Sequence, residues 1–525
     1  MRFVNAVLVV GMFSQVTCAG AMTPAPPLPT PVGAPSLSRD MLQDQAAETA
    51  SETEHSVVVQ GKRIIYRAIA GTLTIRDGEG KPTASMFYVA YLAKSASEAR
   101  PITFLYNGGP GSSSVWIHMA SFGPRRVTID KPDESTSNPP YRLIDNDASL
   151  LPTSDLVFLD AINTGYSRPL GDAKPDAFMS ADTDIDSFAR AIERFLEIHR
   201  RWSSPKYLFG ESYGTTRSAG LVNRLQKDGA QFNGVIMLGS VLDFPRIANT
   251  DDRLFISDLP TYALTAVYHH KVPAPQDQNK FIEEVIDWAE GPYARGLAKG
   301  YQLPLDEKTA LAHTMAGYSG LSEKYIVDNN LRVTPNRFRA ELLRDRGLVM
   351  GELDTRFVGP ELAGFHDEPS YDPSGNGVFR TILAGFHDYL ADDLDFHTNL
   401  PYRFYDAETS RNFNFNRRAA HTIGIYGDDL SQAMTVNPRL HILSLNGRYD
   451  LSTSFYGAMY DYAHLNIAPQ IQRNIRSEFY AAGHMAYIDD RVRRNIAAEV
   501  SEFYDAADSA QDKVHMQSAE PAISQ

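Results

Sequence analysis

Apolar and polar positions change their period along this chain, and the changes mark its elements. From His55 onward, "SVVVQGKRIIYRAIAGTLTIRD" and "ASMFYVAYLA" alternate or run rich in β-branched and aromatic residues, with "DGEG" between them. That pattern predicts paired strands joined by a turn. "PITFLYNGG" and "SDLVFLDA" are short apolar runs of the kind covered on both faces of a sheet. Over 182–201 the period becomes helical, with Ile185, Phe188, Ala189, Ile192, Phe195 and Leu196 at i, i+3, i+4, i+7 spacing. Aspartates stand at its start and Arg200-Arg201 at its end, as the helix dipole favours. The strand "KYLFG", an apolar helix from about Thr215 to Leu225 and the strand "GVIMLGSVL" follow. Strand–helix–strand alternation predicts a parallel sheet with helices on both faces.

The pattern changes after residue 245. Up to residue 425, helical stretches ("DLPTYALTAVYHH", "FIEEVIDWAE", "RFRAELLRD") replace clean strands, which predicts a helical cap inserted at 246–425. The pentapeptide "AGFHD" occurs at 363–367 and 384–388 with unlike flanks, too little for a repeat architecture. "RLHILSLNG" and "SEFYAAG" restore the strand pattern, and Val492 to Phe503 reads as an amphipathic helix. The expected body is therefore 55–245 and 426–506, an α/β class fold with a central, mostly parallel sheet. Residues 507–525 read as a polar, disordered tail. Residues 22–54 read as a disordered linker, opening with the proline-rich "TPAPPLPTPVGAP" and continuing acidic and polar.

Residues 1–21 read as an export signal: Met1-Arg2, an apolar run from Phe3 to Val16, and a small-x-small site at Ala19-Gly20-Ala21. The run is too short to span a bilayer, and no later segment is apolar enough to do so. The expectation is an exported protein, periplasmic or secreted, with no integral membrane segment in the mature chain. Lipoprotein anchoring through Cys18 is the weaker reading, because Gln15 and Thr17 fit that signal poorly. Cys18 is the sole cysteine, and no Asn-x-Ser/Thr sequon occurs. Both absences suit a bacterial cell envelope better than a eukaryotic secretory route. Sixty-four acidic against 50 basic residues, net −14, argue against a nucleic-acid partner.

The candidate chemistry sits in "LFGESYGTT". Gly210-x-Ser212-x-Gly214 follows a strand and precedes a helix, which separates a nucleophile elbow from an ordinary glycine-flanked turn. A serine hydroxyl needs a base, and in this kind of sheet the order is serine, acid, histidine. Of the late histidines, His515 falls in the tail, His441 inside a strand and His464 on a helix. His484, in "AAGHMAY" just after a strand, is the candidate base. Asp450, in "NGRYDLST" after a strand, is the candidate acid, with Asp243 after "VIMLGSVL" as runner-up. The glycine-rich "YNGGPGSSS" follows an early strand and supplies an oxyanion loop, with the N–H of Gly109 pairing that of Tyr213. It lacks the Lys-Ser/Thr ending of a phosphate-binding P-loop. No metal site is visible: His269-His270 are adjacent, not at i, i+4, and HExxH is absent.

"NGGPGSSS", "FGESYG", "NGRYDLST" and "AAGHMAYID", in that order, resemble the serine carboxypeptidases, peptidase family S10. The cap stretches "DLPTYALTAVYHHK" and "NNLRVTPNRFRAELLRDRG" resemble the bacterial branch of that family. The resemblance covers roughly residues 60–505. It implies an α/β-hydrolase fold with a helical cap, no cofactor, and release of single residues from peptides with a free C-terminus. Carried across, it implies a triad of Ser212, Asp450 and His484, and oxyanion donors at Gly109 and Tyr213. It also implies that Asn107 and Glu211 hold the substrate's terminal carboxylate.

There are departures from the family pattern. Leu105 stands where many members carry tryptophan, and Ser121, ahead of Gly123-Pro124, stands where they carry a second glutamate. The disulfides of eukaryotic members are absent. Half of the usual carboxylate-binding set is thus missing. Two alternatives stay open: a serine esterase or acyltransferase on the same scaffold, and a non-catalytic binding relative.

Overall fold

In the computed structural model, which describes residues 48–94, 100–129, 139–247, 251–362, 364, 366–418 and 422–518, three long antiparallel strands open the main sheet. They are β1 (Ala50–Val59), β2 (Lys62–Arg76) and β3 (Pro82–Ala93). The expected leader at 1–21, the linker up to residue 47 and the tail beyond 518 lie outside the described residues. The linker was expected to reach residue 54, and here the structure differs: Ala50 to His55 already pair in register with Gly71 to Tyr66. An edge strand needs only one covered face, so the polar alternation of "ASETEH" is compatible with it.

The remaining strands of the sheet are β4 (Ile102–Tyr106), β5 (Asp155–Leu159), β6 (Arg168–Pro169), β7 (Lys206–Glu211), β8 (Gly234–Leu238), β9 (His441–Gly447) and β10 (Ile475–Tyr480). Their order across the sheet is β1-β2-β3-β5-β4-β7-β8-β9-β10, with β6 beside β3. From β5 through β10 in that order all neighbours are parallel. β4, β5, β7 and β8 are buried along their whole length, which is why they read as apolar runs and not as alternations. β4 lies between β5 and β7, so successive strands step off to opposite sides of it. Such a reversal opens a crevice at the carboxyl ends of the strands.

Two helices on one face follow from the helical periods. They are α1 (Ala181–Ile198), capped by the Ser180 hydroxyl, and α2 (Tyr213–Lys227). They bury Ile185, Phe188, Ile192, Leu221 and Leu225 against Phe104, Leu208 and Met237 of the sheet. Within the insertion, α3 (Arg253–Tyr268) and α4 (Pro373–Asp388) belong to two different cores. α3 gathers a core of its own with Leu259, Tyr262, Phe338, Leu343 and Met350, to which the body contributes Leu451. α4 instead packs Ile382 and Phe386 into the cluster of Trp116, Met119 and Phe158 on the body. The 246–425 insertion is therefore a cap with its own core in its first part and a layer of the body in its second. The second "AGFHD" closes α4, while the described residues of the first copy are not helical.

The last helix, α5 (Asp490–Ser518), covers the other face of the sheet through Ile496, Val500, Phe503 and Tyr504. It runs past residue 506, where a disordered tail was expected to begin. No glycine or proline interrupts "DAADSAQDKVHMQS", so nothing in the local sequence stops the helix there. No helix among the described residues is long and apolar enough to cross a membrane.

Candidate active site

β7 delivers Glu211 and α2 begins at Tyr213, leaving one residue for the turn between them. Ser212 makes that turn at φ 60°, ψ −130°. A non-glycine residue in such a region costs on the order of 1–3 kcal/mol and is held there only by its surroundings. Those surroundings are explicit. The Ser212 N–H donates to Leu238 O at 2.9 Å, and the Thr215 hydroxyl donates to Ser212 O at 2.7 Å. A side chain at Gly210 would collide with Gly214 O, which is why the elbow needs glycine there. Glu211 and Tyr213 are buried on either side, while Ser212 is half-buried.

Asp450 lies in the loop after β9 and is fully buried. Its Oδ1 accepts the N–H groups of Ser452 (2.8 Å) and Thr453 (2.9 Å), and its Oδ2 accepts the Thr453 hydroxyl (2.8 Å). The fourth partner is His484 Nδ1, 2.7 Å from Oδ2. That bond places the proton on Nδ1 in the neutral ring and leaves Nε2 as the basic nitrogen. The runner-up acid, Asp243, is engaged elsewhere, accepting from Arg253 Nη1 at 2.7 Å and from the Arg246 N–H at 3.1 Å. His464 is bonded to Tyr460 O on an exposed turn, and His441 sits in β9 against Phe503. His269 is bonded to Thr355 O, not to its neighbour His270.

The glycine-rich loop after β4 presses on the elbow. A Cβ at Gly108 would meet the backbone of Tyr213 and Gly214, so only glycine lets the two segments touch. Gly109 follows at φ +101°. One buried ion pair underlies both segments. Arg217 binds Asp184 through Nε (2.7 Å) and Nη2 (3.2 Å), and its Nη1 donates to Asn107 O at 2.7 Å. The Tyr213 hydroxyl donates to the same Asp184 at 3.0 Å.

Glu211 is 2% exposed and occupies a pocket of neutral donors. Its Oε2 accepts Asn107 Nδ2 at 2.7 Å and the Tyr487 hydroxyl at 2.8 Å; the same hydroxyl lies 3.1 Å from Oε1. Asn107 is fixed in turn, its Oδ1 accepting the Ile117 N–H at 2.9 Å. Burial lifts the Glu211 carboxyl to about 7, with the Asp450 charge adding to it, against the opposing pull of His484 and the two donors. Burial alone would depress the His484 imidazole. The charge and hydrogen bond of Asp450, with the carboxylates of Glu211 and Glu352, outweigh it and raise the imidazole above its ordinary value. Ser121, buried one turn after Ile117, spends its hydroxyl on Ile117 O in its own helical segment.

Sequence reasoning missed five contributors. Asp184 and Arg217 looked like helix residues, and only the tertiary fold brings them under Asn107. Tyr487, three residues after His484, carries no motif that marks it. Glu352 reaches the site from the cap, paired with Arg339 at 2.9 Å. Gly239, after β8, clears room for the His484 ring, since a Cβ there would lie 3.0 Å from Nδ1. The neighbouring cap residues hold the histidine loop by its backbone: the His484 N–H donates to Leu353 O at 2.6 Å, and Arg356 Nη1 to Ala481 O at 2.7 Å. Among the described residues, no group of three or more His, Cys, Asp or Glu is placed to hold a metal ion.

Residues 66–246 match the family model described as serine carboxypeptidase, Peptidase_S10. The matched span contains Asn107, Gly109, Glu211, Ser212 and Tyr213, and ends before Asp450 and His484. A curated relative, the retinoid-inducible serine carboxypeptidase of Rattus norvegicus, is 24% identical over 356 residues, covering 62% of this chain and 72% of that protein. Among solved structures, a prohormone-processing carboxypeptidase from Saccharomyces cerevisiae, Kex1(Δ)p, aligns with TM-score 0.49 at 13% identity, over 84% of this chain and 92% of that one. A structure described as a putative aryl esterase from Burkholderia cenocepacia aligns with TM-score 0.36 at 14% identity, over 83% and 99%.

Proposed function

We propose, from the serine carboxypeptidase match over residues 66–246, that this serine-type hydrolase removes residues from the free C-termini of peptides through an acyl-enzyme on Ser212. The observation that carries the reading is the buried Glu211, hydrogen-bonded to Asn107, one residue before the elbow serine. An acid there can brace the Asn107 loop in any acyl hydrolase; as the receiver of a terminal carboxylate it must also carry a proton.

The Asp450–His484 bond and the elbow at Ser212 support the following steps. His484 Nε2 takes the proton of the Ser212 hydroxyl as the oxygen attacks the scissile carbonyl. The N–H groups of Gly109 and Tyr213 receive the developing oxyanion. His484 returns the proton to the leaving amine, and water then releases the acyl group by the same route. Asp450 orients the imidazole and balances its charge. Glu211, protonated, and Asn107 donate to the substrate's carboxylate. Glu211 and His484 titrate as a coupled pair, because a charge on either favours a charge on the other. An arriving substrate carboxylate favours the neutral acid at Glu211. The imidazolium can supply that proton, which leaves His484 neutral and able to act as base.

The esterase or acyltransferase reading draws on one observation, the Ser121 hydroxyl turned back to its own helix where the family resemblance expects a second acid. The reading also includes the bacterial branch of the family and export by the leader at 1–21. N-terminal sequencing of the protein recovered outside the cytoplasm tests the export. A peptide panel with free and amidated C-termini, read by mass spectrometry, tests the activity: the account expects stepwise C-terminal shortening of the free acids. Ser212→Ala should lose labelling by a fluorophosphonate and turnover by several powers of ten. Turnover near wild type in that variant would remove Ser212 from the mechanism. Absence of labelling in the wild type would favour the non-catalytic relative.

A further inference from the structure

We propose that Tyr487 is the positioning residue of the carboxylate reader: its phenol and Asn107 together occupy Oε2 of Glu211, leaving Oε1 as the oxygen that carries the proton and meets the substrate's carboxylate. The inference rests on the reading of Glu211 given above. Oε2 receives two short bonds, at 2.7 and 2.8 Å, whereas Oε1 has only the longer approach of the same phenol, at 3.1 Å. A carboxyl oxygen that already accepts two donors is the poorer site for a proton. Tyr487 itself is fully buried in the turn Ala486–Ile488, three residues beyond His484, and its ring stands edge-on to Phe122. The base and the residue that orients the reader thus come from one turn.

The position where the resemblance expects a second acid, Ser121, offers Glu211 nothing. A phenol differs from a second carboxyl in a way that can be measured. It stays neutral across the working range, and its O–H donates to the carboxylate, so it stabilises the ionised form of Glu211 and lowers the pH at which the reader loses its proton. The groups facing Glu211 are Asn107 from the oxyanion loop, Tyr487 and His484 from the turn after β10, and Asp450 from the loop after β9. Of these, Tyr487 is a donor whose loss leaves the charges of the site intact.

The test uses the full-length protein and one peptide in two forms, free acid and C-terminal amide, with kcat/KM measured across pH. In the wild type the acid-to-amide ratio should fall as pH rises through the Glu211 titration. Tyr487→Phe removes one donor to the carboxylate. Glu211 then holds its proton longer, and the midpoint of that fall should move up by about one pH unit, a tenfold change in proton affinity. The circular-dichroism spectrum and thermal midpoint of the variant should match the wild type, which reports an intact fold. In Glu211→Gln the ratio should be flat with pH, and adding Tyr487→Phe should leave it flat. A midpoint that stays or moves down, or a parallel loss on both substrates at every pH, overturns the role of Tyr487. A wild-type ratio already independent of pH, and unchanged by Glu211→Gln, overturns instead the reading of Glu211 on which it rests.

Discussion

Two buried carboxyl groups stand at the same sheet edge, and their surroundings differ. Asp450 receives four partners on its two oxygens, two of them backbone N–H groups of its own loop and one the imidazole. Glu211 receives two neutral side chains, weighted to one oxygen, with burial lifting its carboxyl to about 7. Backbone donors fixed by a tight loop suit a carboxylate that orients a base. A dry pocket with sparse donors suits an acid that must gain and lose a proton. The lesson is that burial alone does not set the task of an acid; the number and kind of donors aimed at each oxygen do.

The comparison breaks first if the two acids can exchange roles. Asp450→Asn should lower kcat by about three to four powers of ten on free-acid, amide and ester substrates alike, because it disorients the base for every substrate. Asp243→Asn, whose carboxylate serves Arg253, should cost far less. A greater loss at Asp243 than at Asp450 would move the acid to β8. Next in size, Asn107→Ala should raise KM for free-acid peptides by roughly tenfold and spare esters by comparison, since the amide donates toward the reader and not toward the base. Equal losses on both substrate classes would assign Asn107 to the oxyanion loop alone.

The smallest effect sharpens the electrostatics. Glu352, reaching in from the cap, helps hold the proton on His484. Removing its charge with Glu352→Gln should let the imidazole release its proton earlier. The acid-side rise of ester hydrolysis should then start at lower pH, by about half a unit. A shift in the opposite direction would show that Glu352 acts through Arg339 and the cap's packing instead.

How much of this was legible in the sequence follows the local or distant origin of each feature. The elbow was legible because strand, serine and helix are contiguous, and only glycine fits at 210. Asp450 and His484 were legible because each follows a strand in a glycine-marked loop, and order along the chain did the rest. Arg217, Asp184 and Tyr487 were not, because their partners lie 110, 33 and 276 residues away and their own helical or apolar contexts already explained them. The limits of the body were misread at both ends for a related reason. Polar residues on an edge strand at 50–54 and in a terminal helix past 506 carry weak periodicity, so composition spoke for disorder where pairing and helix continuity decide. The split of the insertion between its own core and the body was equally hidden, since α3 and α4 differ in what they meet and not in how they read.

The most direct test of the central claim, that Glu211 reads the substrate's carboxylate as a neutral acid, is the pH profile of kcat/KM for a free-acid peptide set against its C-terminal amide. Burial raises the carboxyl to about 7, so the proton is present below that value and lost above it. The account predicts that the acid substrate declines relative to the amide as pH rises through about 7, and that Glu211→Gln, which keeps a donor and removes the titration, abolishes the relative decline. Parallel profiles for the two substrates in the wild type, unchanged in Glu211→Gln, would contradict it.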